Sequence, residues 1–213
     1  MERLKLTEIF MSLQGESQTV GLPTVFIRLT GCPLRCQYCD TEYAFKGGEW
    51  HNLDAIVKQT IGYGVQHVTV TGGEPLAQKP CRNLMAALCN EGLSVSLETC
   101  GAMSIADIDE RVTVVMDLKT PGSAEVSKND YDNIALLKPN DEVKFVICSR
   151  EDYDWAKSII VEHHLAKVCQ LLFSPSQGQV DATALAEWII EDRLPVRFQL
   201  QLHKILWGDQ PGK

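Results

Sequence analysis

Three cysteines crowd into eight residues of this chain, Cys32, Cys36 and Cys39, in the spacing C-x3-C-x2-C. Thiolates are soft ligands that suit iron–sulfur clusters and zinc. Three on one short segment leave a fourth coordination position open, as a reactive metal centre requires and a closed structural one does not. The same spacing also suits a zinc knuckle completed by a distant ligand; the nearest histidine beyond Cys39 is His51. The other five cysteines, Cys81, Cys89, Cys100, Cys148 and Cys169, are scattered singly and read as packing residues. A second loaded segment is Thr71-Gly72-Gly73-Glu74-Pro75, which alone is ordinary turn chemistry. Further polar groups gather at residues 98–101, 117–120 and 174–178, and at His203.

Positioning these groups is the task of the elements between them. Runs rich in β-formers at 24–30, 68–71, 93–99, 112–118, 142–148, 169–173 and 196–202 alternate with helical spacing at 52–62, 80–92, 150–164 and 181–191. Leu53, Ile56, Val57 and Ile61 share one helix face; Gly92 suits a helix stop and Asp181 an N-cap. The alternation predicts an α/β fold with a parallel sheet and crossover helices. Seven strands after residue 20 are too few for a closed eight-stranded barrel. The expected architecture is a partial, open βα barrel of about six to seven mainly parallel strands. Parallel sheets place ligands beyond the carboxyl ends of their strands. Residues 31–41, 71–75, 98–101, 117–120, 174–178 and His203 all fall at such ends, so one register collects them on one face.

The 213 residues carry 20 Lys+Arg against 28 Asp+Glu, a net charge of -8, with no basic block to hold a nucleic-acid backbone. Mean hydropathy is -0.09, and no apolar run reaches the ~18 residues of a membrane-spanning helix. Residues 1–6 lack the apolar core of a signal peptide, so the expected location is the reducing cytoplasm, where cysteines serve as ligands or packing groups rather than disulfides. With no repeat or linker, residues 1–213 read as one domain: an N-terminal segment 1–20, a core 21–205 and a tail 206–213.

The cysteine loop after a first core strand, with Tyr38 just before the last thiol and the GGEP motif after the next strand, resembles the radical S-adenosylmethionine (SAM) enzymes. A narrower resemblance rests on Phe10-Met-Ser-Leu13-Gln14-Gly15-Glu16, on Gly21 and Pro23, and on Phe26-Ile27-Arg28-Leu29 leading to Gly31-Cys32. Cys39-Asp40-Thr41, Tyr43-Ala44 and Leu202-His203-Lys204 extend it. These segments are similar to the 7-carboxy-7-deazaguanine synthase family. Ser17 departs from the family's more usual Gly.

That resemblance implies a radical SAM core in which Cys32, Cys36 and Cys39 hold a [4Fe–4S] cluster. It implies SAM contacts from Tyr38, Cys39, Asp40, Gly73, Glu74, Asp117, Leu118, Lys119, Ser174 and Gln177. Substrate contacts would come from Leu13, Gln14, Gly15, Glu16, Arg28, Thr71, His203 and Lys213, the last through a tail folded over the site. Thr41 would bind Mg²⁺. The implied reaction contracts the ring of 6-carboxy-5,6,7,8-tetrahydropterin to 7-carboxy-7-deazaguanine with loss of ammonia, SAM being regenerated, on the way to 7-deazapurines such as queuosine. The implied partners are flavodoxin or ferredoxin as electron donor and a second copy in a homodimer. Two other classes fit parts of the pattern: a glycyl-radical activase and a non-catalytic iron–sulfur module.

Overall fold

The computed structural model describes residues 2–208, 210 and 212. Nine strands form one open sheet in the order β3-β1-β2-β4-β5-β6-β7-β8-β9. The strands are β1 (Arg3–Leu13), β2 (Pro23–Leu29), β3 (Glu49–Asn52), β4 (His67–Gly72), β5 (Ser94–Thr99), β6 (Thr113–Asp117), β7 (Glu142–Ile147), β8 (Gln170–Pro175) and β9 (Arg197–Phe198). From β2 through β9 every neighbouring pair in the sheet is parallel. The helices are α1 (Leu53–Gly62), α2 (Cys81–Asn90), α3 (Arg150–Glu162), α4 (Ala182–Asp192) and a short α5 (Leu202–Trp207). Ser149 caps α3 and Asp181 caps α4, each by a side-chain oxygen accepting the backbone N–H three residues on, that of Asp152 and of Ala184.

Seven parallel strands, β2 and β4 to β9, agree with the expected open barrel. Two strands escaped the sequence reading. β1 runs antiparallel to both β2 and β3 and extends the sheet beyond the parallel set. Its inward residues Leu4 and Leu6 alternate for only two positions before a register irregularity between Leu6 and Glu8 breaks the pattern. The expected last strand, 196–202, shrinks to Arg197–Phe198, because the chain turns after Gln201 into α5.

Strand alternation divides apolar from chemical residues. On one face Val25, Ile27, Leu29, Val68, Val70, Val95, Leu97, Val114, Met116, Val143, Phe145, Leu171 and Phe173 pack against α1 to α4 as a single core. The opposite face carries Arg28, Thr71, Glu98, Asp117, Lys144 and Ser174 at or near the carboxyl ends. The register pairs Arg28 with Thr71, Asp117 with Lys144, and Val146 with Ser174. A slip of one residue in any strand would send these groups into the core. Among the described residues no helix is long and apolar enough to cross a membrane.

Candidate active site

A cavity of about 510 Å³ opens at the carboxyl ends of the parallel strands. Cys32, Cys36 and Cys39 line one side, on the loop that follows β2. Arg35 shapes that loop from within: its guanidinium donates to the carbonyls of Cys32 (2.8 Å) and Leu34 (2.6 Å) and lies 4.2 Å over the Phe45 ring. Gln37 fastens the loop to residues 122–123, its backbone N–H donating to the Ser123 carbonyl (3.2 Å) and its side chain to that of Gly122. The GGEP turn abuts the same loop so closely that a Cβ on Gly73 would lie 2.2 Å from the Gly31 carbonyl oxygen. Only glycine admits this approach.

All three thiols are partly exposed, and desolvation pushes each above its ordinary range, Cys36 to about 11. Binding them as thiolates therefore takes a strong Lewis acid, and metal loading releases protons. Among the described residues no three Cys, His, Asp or Glu side chains converge as ligands of a single ion would. Three soft thiolates on one loop are a donor set that suits an iron–sulfur cluster.

Opposite the thiols, buried polar groups interlock. Gln14 Nε2 donates to Thr69 Oγ1 (3.0 Å) and to Glu98 Oε1 (3.3 Å), while Thr71 Oγ1 donates to Glu98 Oε2 (2.9 Å). Glu16 accepts from Lys144 Nζ (2.6 Å) and from Gln201 Nε2 (2.8 Å). The two carboxyl groups are driven apart. Burial raises Glu98, and repulsion from Glu16 adds to it. Burial would raise Glu16 as well, but the Lys144 ammonium and the donors from Lys144 and Gln201 outweigh it and hold Glu16 below its ordinary range. Arg28 sits over Phe10 and Tyr43, each 5.8 Å away, with Nε given to Glu8 (2.8 Å); among the described residues no partner takes its two terminal nitrogens.

Between these sides lie Tyr38, Asp117 and Lys119. Lys119 Nζ stands 3.1 Å from Asp117 Oδ1 and 5.7 Å over the Tyr38 ring. Yet Asp117 Oδ1 and the Tyr38 hydroxyl are buried with no well-directed hydrogen bond among the described residues. Orphaned polar atoms in a cavity wall mark a place where a polar ligand completes the pairing. Ser174 and Gln177 close this part of the wall.

Residues 201–207 cover the cavity from outside. Leu202 N–H donates to the Gly15 carbonyl (3.0 Å), and a Cβ on Gly15 would lie 2.3 Å from His203 Nδ1. Lys204 Nζ lies 2.9 Å from Asp40 Oδ2; burial would raise the Asp40 carboxyl, but the ammonium overrides it and draws it down to about 2. Desolvation lowers His203, favouring the neutral imidazole. Thr41 Oγ1 donates to Asp40 Oδ1 (2.8 Å), and both line the cavity.

The structure thus brings together Leu13, Gln14, Gly15, Glu16, Arg28, Thr71, His203, Tyr38, Asp40, Gly73, Asp117, Lys119, Ser174, Gln177, Thr41 and the three cysteines around one cavity. Two expected residues stand apart from it. The Glu74 side chain is wholly buried behind the wall, where it accepts from Leu76 N–H (2.9 Å), Cys100 N–H (2.7 Å) and Thr99 Oγ1 (2.9 Å). It ties the end of β4 to the end of β5, and only the backbone before it faces the cavity. Leu118 is fully buried in the core, since strand alternation turns it away from the face of Asp117. Lys213 lies outside the described residues. Lys144 and Gln201 were missed. A lone lysine in the apolar run Val143-Lys144-Phe145-Val146-Ile147 was the available signal, because a buried parallel strand admits a charge only where it meets a cavity.

An open parallel sheet with three thiols at the mouth of its cavity defines the radical SAM class, and residues 26–161 match the profile of the Radical SAM superfamily. A 7-carboxy-7-deazaguanine synthase from Chlorobaculum tepidum is 44% identical over 208 residues, covering 96% of this chain and 94% of the relative. Another from Koribacter versatilis is 41% identical over 223 residues, covering 96% and 97%. The crystal structure of QueE from Escherichia coli superposes with a TM-score of 0.76 at 24% identity, over 94% of this chain and 95% of that one, and shares the fold. The chain belongs to the 7-carboxy-7-deazaguanine synthase family. Membership of the radical SAM superfamily implies a [4Fe–4S] cluster and SAM.

Proposed function

We propose that this enzyme converts 6-carboxy-5,6,7,8-tetrahydropterin to 7-carboxy-7-deazaguanine and ammonia, with SAM used catalytically. The observation that carries the reading is the single cavity joining the cysteine loop to the Gln14–Glu16–Glu98–Lys144 group. Its size suits a small heterocycle beside the cofactor, whereas an activase acting on a protein would need an open docking groove.

Cys32, Cys36 and Cys39 would hold the cluster, and Tyr38, Asp40, Gly73, Asp117, Lys119, Ser174 and Gln177 would hold SAM. When bound, the cluster and SAM would supply the radical hydrogen-abstraction chemistry that the ring contraction needs. The chain's own residues bind, orient and exclude water. The terminal nitrogens of Arg28 suit the substrate carboxylate as a fork. Along the pyrimidine edge the ionised Glu16 would accept and the Gln14 amide could donate or accept, and Thr71 adds a hydroxyl beside them. His203 and residues 204–207 shield the substrate from solvent. Thr41 would hold Mg²⁺ through its hard hydroxyl oxygen, with the Asp40 carboxylate hydrogen-bonded beside it. Further parts of the reading are flavodoxin or ferredoxin as reductant, a homodimer, one domain over residues 1–213 and a cytoplasmic setting, which the reducing needs of the cluster support.

The test is anaerobic turnover of reconstituted protein with SAM, Mg²⁺, a reductant and 6-carboxytetrahydropterin, read by mass spectrometry. Formation of 7-carboxy-7-deazaguanine without stoichiometric SAM loss is the expected result. SAM cleavage without ring contraction would overturn the substrate and leave the activase reading first in line. An intact cluster with no SAM cleavage would favour a non-catalytic module.

A further inference from the structure

The cavity contains a continuous chain of charge. Lys119 Nζ stands 3.1 Å from Asp117 Oδ1, Lys144 Nζ stands 3.6 Å from Asp117 Oδ2 and 2.6 Å from Glu16 Oε2, and Gln201 Nε2 stands 2.8 Å from Glu16 Oε1. The charged side chains are 10 to 14% exposed, so solvent screens them little. Lys144 is the link. It comes from the middle of the sheet, directly beside Asp117 in register, and reaches the N-terminal segment at Glu16.

Its two contacts differ in kind. At 2.6 Å the Glu16 contact is a full charge-assisted hydrogen bond, whereas 3.6 Å to Asp117 is a Coulombic contact without one. Asp117 meanwhile keeps a buried oxygen without a well-directed donor. A ligand that donates to Asp117 satisfies that oxygen and weakens its pull on Lys144. The ammonium is then held by Glu16 alone, which fixes Glu16 as an ionised acceptor aimed into the other half of the cavity. In the reverse direction, a substrate that settles against the ionised Glu16 holds Lys144 at that end and leaves Asp117 free to accept from SAM.

Resting on the proposed division of the cavity into SAM and pterin halves, we propose that Lys144 is a positioning residue that couples them, so that each ligand tightens the binding of the other. Linkage requires the factor to be the same in both directions. Useful radical chemistry needs both ligands present together, and this chain of charges favours the doubly occupied state.

The test is calorimetric titration of cluster-loaded protein with 6-carboxytetrahydropterin, with and without saturating SAM, and the reverse titration. The wild type is expected to bind each ligand about fivefold or more tightly in the presence of the other. Lys144→Met is expected to bring that ratio to within about twofold of one, and Lys144→Arg to retain most of it. Asp117→Asn covers the case in which the methionine variant does not fold. It leaves Lys144 to Glu16 alone, so pterin affinity without SAM should rise toward the value the wild type shows with SAM, while the coupling is lost. An unchanged coupling ratio in Lys144→Met or Asp117→Asn, or no coupling in the wild type, overturns the proposal alone. Absence of pterin binding with SAM binding retained overturns both the proposal and the substrate reading beneath it.

Discussion

Glu74 belongs to the motif that marks the SAM site, yet its carboxylate is spent inside the protein. Oε1 accepts from Leu76 N–H (2.9 Å) and Thr99 Oγ1 (2.9 Å), and Oε2 from Cys100 N–H (2.7 Å) and Thr99 Oγ1 (3.0 Å), with the residue wholly buried. Glu74→Gln preserves volume but puts an amide NH₂ where one oxygen stood. With the amide oxygen toward Leu76, the NH₂ faces the Cys100 N–H; reversed, it faces that of Leu76. The Thr99 hydroxyl can follow the oxygen, so one buried backbone donor is orphaned in either orientation. An orphaned donor costs about 1–3 kcal/mol, and the lost bond is to a carboxylate, which places the expected loss near 2–3 kcal/mol. For a chain of this size the thermal midpoint should fall by about 4–12 °C. The assay compares midpoints at equal cluster loading and titrates SAM into the folded protein, where affinity should stay within about twofold of wild type. A midpoint within a degree of wild type, accompanied by a tenfold or greater loss of SAM affinity, would refute the reasoning and return the Glu74 side chain to the cofactor.

Gly15→Ala puts a Cβ 2.3 Å from His203 Nδ1, so residues 202–207 must shift; the KM for the pterin should rise tenfold or more while the midpoint falls only a few degrees, as kinetics and hydrogen exchange over residues 201–207 will report. Glu98 is held above its ordinary range by burial and by Glu16, so the stability linked to it is fully present below the unfolded carboxyl pKa and declines as pH rises toward the raised folded value. Glu98→Gln removes this dependence: its thermal midpoint should exceed that of wild type at neutral pH and converge with it as pH falls to the ordinary carboxyl range. Cys36→Ala should drop bound iron below about one atom per chain and leave the apoprotein midpoint within a few degrees, since Cys36 sits partly exposed on a loop outside the core.

The parallel sheet was readable because buried strands between crossover helices are short, β-branched and bounded by Gly, Pro or polar residues. β1 was harder. Its bulge near Glu8 interrupts alternation, and its outward residues belong to the cavity and solvent rather than to a second core face. α5 is six residues long and its helical spacing completes fewer than two turns, so Leu202 read as the end of a strand. The site was legible wherever a polar residue followed the last apolar residue of a strand, as at Thr71, Asp117 and Ser174. It was illegible where the side chain's direction depends on the backbone beyond the strand. Glu74 turns behind the wall and Leu118 into the core although each adjoins a cavity residue. Lys144 was hidden for a different reason: its partners Glu16 and Asp117 lie far away in sequence, and only the strand register brings them within reach.

The strap formed by residues 201–207 crosses the cavity through Leu202 to Gly15, Gln201 to Glu16 and Lys204 to Asp40. During translation these residues emerge long after the cysteine loop, but only a few residues after β9 ends at Phe198. Until they settle, the cavity lacks Gln201, His203 and Lys204 from its wall. Once the strap settles, these three residues complete the wall while the cysteines stay partly exposed. Closing of the cavity is therefore among the last events of chain synthesis, and a circular permutant that makes residues 201–207 first would reverse that order.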